Sequence, residues 1–491
     1  MTTERTTEQL NPPEAVPGGL KKEFTLRSAF MIAFVFLSPI VAVYGVFALV
    51  VASAGPAGWW AFLIVLVGQL LVAGVFAQLA SKWPFEGSVY QWSRRLAGEH
   101  YGWFAGWAYM WSLMVAVAGG AYYVAGFLPI ILGTEPFGST TKVLVAIAVT
   151  MVVTALNAAG PKAVKVFAVL SLTAEVVGSI VLGIILLIGH RHQPLSVVFD
   201  TAGTGGGDWL WTGLFAAVGF VGWAFVGFES AGAIAEEVVD AERNVPKAMV
   251  ASLLAIGAVV LFSGLALVLA IPDMQAVVSG AVLDPTAETA QAALGNSVTK
   301  PLFVLIVIGF LASMTAAQTS ASRIIWSFAR DNVLPASGRL SRLAGRHQYP
   351  LAAVVTAGAL SMIVLCAGFS AKFYNTLVSF STGGFFVAFA MPVVAVLVHR
   401  MRGRWTPGRV TLGRWGCPVT VVAALWLVFE LVNIVWPRSP QLPWYENYAV
   451  LLAMAFVALL GFVLWFNVRT KVARLADTPS ATPPVPAGDS A

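Results

Sequence analysis

Glu229 places a carboxylate in the middle of the apolar stretch 221–237, VGWAFVGFESAGAIAEE. An ionisable group at membrane depth is costly and ordinarily faces a water-filled path or a partner. Gly219, Gly222, Gly227 and Gly232 surround it, and glycine this dense lets a helix open and expose backbone polar groups. The carboxylate has two chemical readings: a group that takes up and releases a proton, or a counter-ion for an ammonium. A third reading is structural, with the acid hydrogen-bonded to the opened backbone. Trp223, Phe225 and Phe228 on the same stretch offer ring faces suited to a desolvated cation, and rings at this spacing serve packing equally well.

Glu175 is the second intramembrane acid. With the hydroxyls of Thr319 and Ser320 it would make a hard oxygen site for Na⁺, or by itself a proton site; the alternative is a polar contact between helices. Glu430 lies near the end of the chain's apolar spans, where packing or a subunit role is expected. Trp103, Trp107 and Trp111 fall on one helical stripe, whose default is packing. The five histidines stand at span ends or in loops without metal-ligand spacing, and Cys366 and Cys417 belong to separate spans. Neither a metal site, a disulfide nor a cofactor is implied. No P-loop, serine elbow or H-E-x-x-H is present, which leaves ATP hydrolysis and intramembrane proteolysis without a basis.

The elements that position these residues follow from composition. The chain is 58% hydrophobic and 11% charged, with a mean hydropathy of +0.82, so it reads as an all-α polytopic membrane protein whose partner is the lipid bilayer. Apolar runs long enough for a bilayer core, roughly 20 residues, lie near 28–53, 59–80, 101–128, 142–157, 163–189, 209–235, 247–271, 300–328, 351–369, 373–398, 416–436 and 446–468. Twelve spans put both termini on one side. Of the 29 lysines and arginines, all but Lys142, Arg191, Lys300, Lys372 and Arg438 fall on that side, which the positive-inside rule makes cytoplasmic. The net charge of +6 therefore reads as topology and not as nucleic-acid binding. Residues 1–24 and 471–491 are polar, rich in Pro, Thr, Ser and Ala, and are expected to be disordered cytoplasmic tails.

Two spans are interrupted. The first contains Ser38-Pro39 and Tyr44-Gly45, and the sixth is the glycine-rich stretch around Glu229. If 25–189 and 209–400 are repeats, these are the first helices of each, with 401–470 supplying two added helices. Breaks at corresponding positions of two halves point to a binding site at the membrane midplane. The candidate substrate-binding residues are thus Ser38, Ile40, Val41, Ala42 and Tyr44 on one break and Trp223, Phe225, Val226, Gly227 and Phe228 on the other. The candidate ion-coupling residues are Glu229, Glu175, Thr319 and Ser320.

From Phe225-Val-Gly-Phe-Glu-Ser230 through Ala235-Glu-Glu237 to Arg243-Asn-Val-Pro246, the chain resembles the amino acid–polyamine–organocation permeases. Further matches are Trp83-Pro84 with Gly87-Ser-Val-Tyr-Gln-Trp92, Asn157-Ala-Ala-Gly160, Ser322-Arg323, Ala329-Arg-Asp331 with Leu334-Pro335, and Gly413-Arg-Trp-Gly416. The last of these, with Ala54-Gly55-Pro56, is most similar to the amino acid/choline transporter subgroup. The resemblance implies a five-plus-five inverted repeat of the leucine-transporter type with two added helices. It also implies secondary transport of an amino acid or small amine such as GABA or choline, bound between spans one, three, six and eight. It assigns Glu229 to proton-linked gating and Trp223 to closure over a cationic substrate. Two positions depart from the family pattern. The glycine-rich break whose amides hold an amino acid carboxylate is here Ser38-Pro-Ile-Val-Ala42, and Glu175 stands where some proton-coupled members carry a lysine. The expected function is proton-coupled uptake by alternating access, with Na⁺ the other candidate ion. A substrate/product exchanger and a transporter-like sensor that binds without transport are the alternatives; no catalytic constellation supports an enzyme.

Overall fold

The computed structural model describes residues 24–475 apart from 86, 283, 345–348 and 369–372; the side chains of 161–165 are not described either. Most of each expected tail lies outside the described residues, but both expected boundaries shift. Phe24 is already structured: its amide donates to the Glu237 carbonyl (2.9 Å), and its carbonyl accepts from the Val239 amide (2.8 Å). The last helix, Ala449–Arg474, runs past residue 470. Lys471 and Arg474 in its final turn complement the negative end of the helix dipole, which favours continuing the helix to them.

Among the described residues the only bridges between extended segments are Phe24 with Val238 and Ala344 with Tyr349; the rest of the architecture is helical. Eleven helical stretches among the described residues are long and apolar enough to cross a bilayer. Within the ninth expected span, 351–369, the described helix Leu351–Leu365 is shorter. Both described ends lie on one face: Phe24 pairs beside Glu237, Glu237 pairs with Arg323 of span eight, and the Leu475 carbonyl accepts from Arg94, itself paired with Asp331 just after span eight.

The expected breaks occur where backbone chemistry demands them. Pro39 cannot donate a backbone hydrogen bond and disfavours helical geometry in the residue before it. Span one accordingly ends its first helix at Leu37, turns through Ser38 at φ 44°, and restarts as Pro39–Tyr44 and then Phe47–Ala54. In span six, Phe215–Val221 tightens into a 3₁₀ turn over Gly222–Phe225, Val226 is extended, and a short helix resumes at Ser230. Gly227 sits at φ 113°, a conformation open to glycine alone at little cost. The two breaks pack on each other. A β-carbon at Gly227 would lie 3.0 Å from the Phe36 ring, and one at Gly45 would lie 2.6 Å from the Trp223 ring.

Candidate functional site

Each break is held by one buried carboxylate, and each carboxylate accepts from one hydroxyl and one backbone amide. On span six, Glu229 is fully buried. The Tyr109 hydroxyl of span three donates to its Oε1 (2.8 Å), and the Gly227 amide donates to its Oε2 (2.9 Å). On span one the acid comes from outside: Glu175, in span five just before a π-helical turn at Val176–Val181, accepts from the Ser38 hydroxyl and from the Ile40 amide (2.9 Å). Ser38 Oγ also receives the Val41 amide (3.1 Å). Together these contacts occupy the exposed amides at the start of the second helix piece, since Pro39 has none and the Ala42 amide returns to the Ser38 carbonyl (2.8 Å). A hydrogen bond contributes about 0.5–1.5 kcal/mol, and about 1.5–3 kcal/mol when the acceptor is ionised, so each carboxyl group helps hold the geometry of its break.

Between the breaks lies a cavity of about 20 Å³, room for roughly one water. Phe36, Leu37 and Val41 wall it from span one, Trp223 and Val226 from span six, Ala116 and Gly120 from span three, and Phe310, Ser313, Met314 and Ala317 from span eight. The lining side chains are apolar apart from the Ser313 hydroxyl, which donates to the Phe36 carbonyl (2.6 Å), and the indole N–H of Trp223.

Of the candidate substrate residues, Val41, Trp223 and Val226 reach this cavity. Ser38 and Gly227 act as hydrogen-bonding hinge positions. Ile40 packs its side chain toward Gly178 and Gly309, Ala42 is buried, and the Tyr44 hydroxyl donates to the Gly178 carbonyl (2.9 Å). Phe225 is fully buried outside the cavity lining, and Phe228 packs against Phe76 and Phe389. The lining from spans three and eight was not singled out by sequence reasoning. Mostly apolar residues carry no chemical signal there, although the resemblance places both spans at the site.

The expected grouping of Glu175 with Thr319 and Ser320 does not form. Glu175 lies opposite Gly309, where a β-carbon would be 3.5 Å from its Oε1. Thr319 is ten residues further along the same helix, about 15 Å at 1.5 Å per residue. Thr319 instead donates to Asn157 Oδ1 (2.7 Å), in a network with Gln318 and Thr154 that ties span eight to span four, and Ser320 is buried on the same turn. Glu430 lies at the contact of spans eleven and six: its Oε1 is 3.5 Å from Asn433 Nδ2, which donates to the Phe215 carbonyl (2.8 Å). The Trp stripe is packing, with Trp103 stacked on Trp107 and Trp107 donating to Val457 of span twelve (2.9 Å).

On the face carrying the chain ends, ion pairs close the bundle. Arg323 and Glu237 meet at 3.1 Å with both side chains nearly buried, and Arg330 lies 3.6 Å from Glu236. Arg94 bonds Glu99 and Asp331, and Tyr90 donates to Asp331 (2.6 Å). On the opposite side of the cavity, Trp223 lies over Gly45 and Tyr374 donates to the Gly45 carbonyl (2.6 Å).

A family model described as amino acid permease matches residues 24–468. Among curated proteins, the chain is 27% identical over 369 residues to the branched-chain amino acid permease BcaP of Lactococcus lactis, covering 71% of this chain and 76% of that protein. It is 26% identical over 479 residues to amino-acid permease 2 of Neurospora crassa, covering 91% and 85%. It is 24% identical over 447 residues to the amino-acid permease BAT1 of Arabidopsis thaliana, covering 83% and 84%. The match runs from the first span to the last, over a paired helix break with a cavity between its halves, and the chain accordingly belongs to the amino acid permease family of the amino acid–polyamine–organocation superfamily, a multi-pass membrane transporter and not an enzyme.

Proposed function

We propose that this permease is a secondary active transporter of the cytoplasmic membrane, with both termini cytoplasmic, that takes up an amino acid or small amine together with H⁺ by alternating access. The observation that carries the reading is the clasp of Glu229 on the break of span six beside the cavity. An ionised Glu229 accepts from both Tyr109 and Gly227. A protonated one becomes a donor at one oxygen and loses part of that acceptor capacity. Proton uptake thus loosens the hinge backbone next to the bound substrate, which is the differential interaction that a coupled conformational change requires. The present cavity is smaller than any amino acid, so substrate enters only as the helices separate.

The lining supports a small, largely apolar cargo, with the Trp223 ring available to an ammonium. Because Glu175 and Ser38 already occupy the amides of the first break, an amine without a carboxylate, such as choline, is compatible with the site. An amino acid carboxylate would have to compete with Glu175. The names of three relatives, which are amino acid permeases, favour an amino acid.

Purified protein in proteoliposomes tests the reading. Accumulation of amino acids, GABA or choline should rise with an inward proton gradient. Uptake that ignores the gradient but depends on preloaded substrate identifies an exchanger, and saturable binding without accumulation identifies a sensor.

A further inference from the structure

On the face that carries the chain ends, the foot of span one and the start of span seven enclose a groove that the transport reading does not use. Its volume is about 940 Å³, and its floor and walls are almost wholly apolar. Phe30 lines it from span one, Ala77 from span two, and Val250, Ala251 and Leu254 from span seven. Leu254 is half exposed, so the groove opens sideways toward the bilayer. Two cations stand at its mouth, Arg27 and Lys247. Both are exposed, and among the described residues neither side chain makes an ion pair or hydrogen bond. Their neighbour Arg409 is by contrast engaged with Asp240 (3.0 Å).

The vertical order of these groups is informative. Lys247 and Leu254 are seven residues apart on one helix, about 10 Å along its axis, so the charge sits at headgroup level and the apolar wall runs down from it. Water or a free anion would satisfy the cations but leave the wall bare. A neutral lipid would cover the wall and leave two uncompensated cations beside it. A molecule with a phosphate at one end and an acyl chain at the other meets both requirements, and paired basic side chains at the membrane surface favour an anionic headgroup.

We propose that this groove is a binding site for one anionic phospholipid, its phosphate held by Arg27 and Lys247 and an acyl chain laid along Phe30, Ala251 and Leu254. The bound lipid joins span one, whose preceding residue Phe24 is tied to Val238, to span seven.

The full-length protein in detergent, given an equimolar mixture of phosphatidylglycerol and phosphatidylcholine, tests this by native mass spectrometry and thermal shift. The wild type should retain one phosphatidylglycerol in clear preference and melt at higher temperature with it than with phosphatidylcholine. Inorganic phosphate at the same concentration should have no effect. Each basic side chain near an anionic surface favours binding about fivefold, roughly 30-fold for two. Arg27→Gln with Lys247→Gln should therefore bring the two lipids to near parity, chiefly by lowering phosphatidylglycerol retention, with an unchanged helical circular-dichroism spectrum as the check that the variant is folded. Leu254→Trp, which fills the wall, should reduce retention of both lipids. Equal retention of the two lipids by the wild type, an undiminished preference in the double variant, or protection by inorganic phosphate alone would each overturn the proposal.

Discussion

At the scale of single residues, Glu229 and Glu175 do related work by different routes. Glu229 clasps its own broken helix and borrows a hydroxyl from span three; Glu175 reaches from span five to a break on another helix and borrows the hydroxyl of that break. Glu229→Gln removes the titratable group while keeping its shape. Uptake in proteoliposomes should fall and lose its dependence on pH between acid and neutral external buffer; a retained pH profile would remove Glu229 from coupling. Ser38→Ala deletes both the donor to Glu175 and the acceptor of the Val41 amide, and should lower stability by about 1–3 kcal/mol. Ser38→Gly loses the same hydroxyl but relieves the positive φ, so its cost in a denaturation series should be smaller than that of alanine.

The helix breaks themselves define the scale of elements. Their existence was legible in the chain, because Pro39 removes a donor and the glycines around Glu229 permit positive φ. What each position does was not legible. Gly227 and Gly219 look alike in sequence, yet a β-carbon at Gly227 meets the Phe36 ring at 3.0 Å with φ 113°, whereas one at Gly219 meets nothing closer than 3.5 Å. Gly227→Ala should therefore destabilise the protein by about 1–3 kcal/mol or more from backbone strain alone and impair transport. Gly219→Ala, inside a helix, should be neutral or stabilising by roughly 0.5–1 kcal/mol. Equal melting temperatures for the two variants would contradict this assignment of the hinge.

For the molecule as a whole, the cavity of one-water size has the Arg323–Glu237 pair toward the face of Phe24 and Leu475 and Trp223 against Gly45 on the other side, which in the proposed cycle corresponds to an occluded state. In the proposed alternating access, opening the terminal face separates Arg323 from Glu237. Removing one partner of a buried pair costs roughly 3–5 kcal/mol in the state that holds it, so Arg323→Gln should shift the population toward opening on that face. A cysteine placed at Ala317 would report it, as faster labelling by an impermeant thiol reagent reaching that face. The native Cys366 and Cys417 are exposed and must first be replaced. Unchanged labelling would mean that this pair does not gate the cavity.

The sequence by itself determined what depends on composition and local backbone chemistry. Apolar runs of bilayer length set the spans, proline and glycine set the places where two of them open, and the cost of charge in hydrocarbon marked Glu175 and Glu229 as exceptional. Tertiary structure alone decided which groups meet. Thr319 went to Asn157 and not to Glu175, because ten residues of helix separate the two sites along span eight. Phe228 went into packing with Phe76 and Phe389 while Trp223, five residues earlier, faced the cavity, because the break rotates the chain between them. The cavity walls from spans three and eight are mostly apolar residues of mixed size whose role depends on the space they leave open, a property of the packed bundle that no single stretch of chain carries.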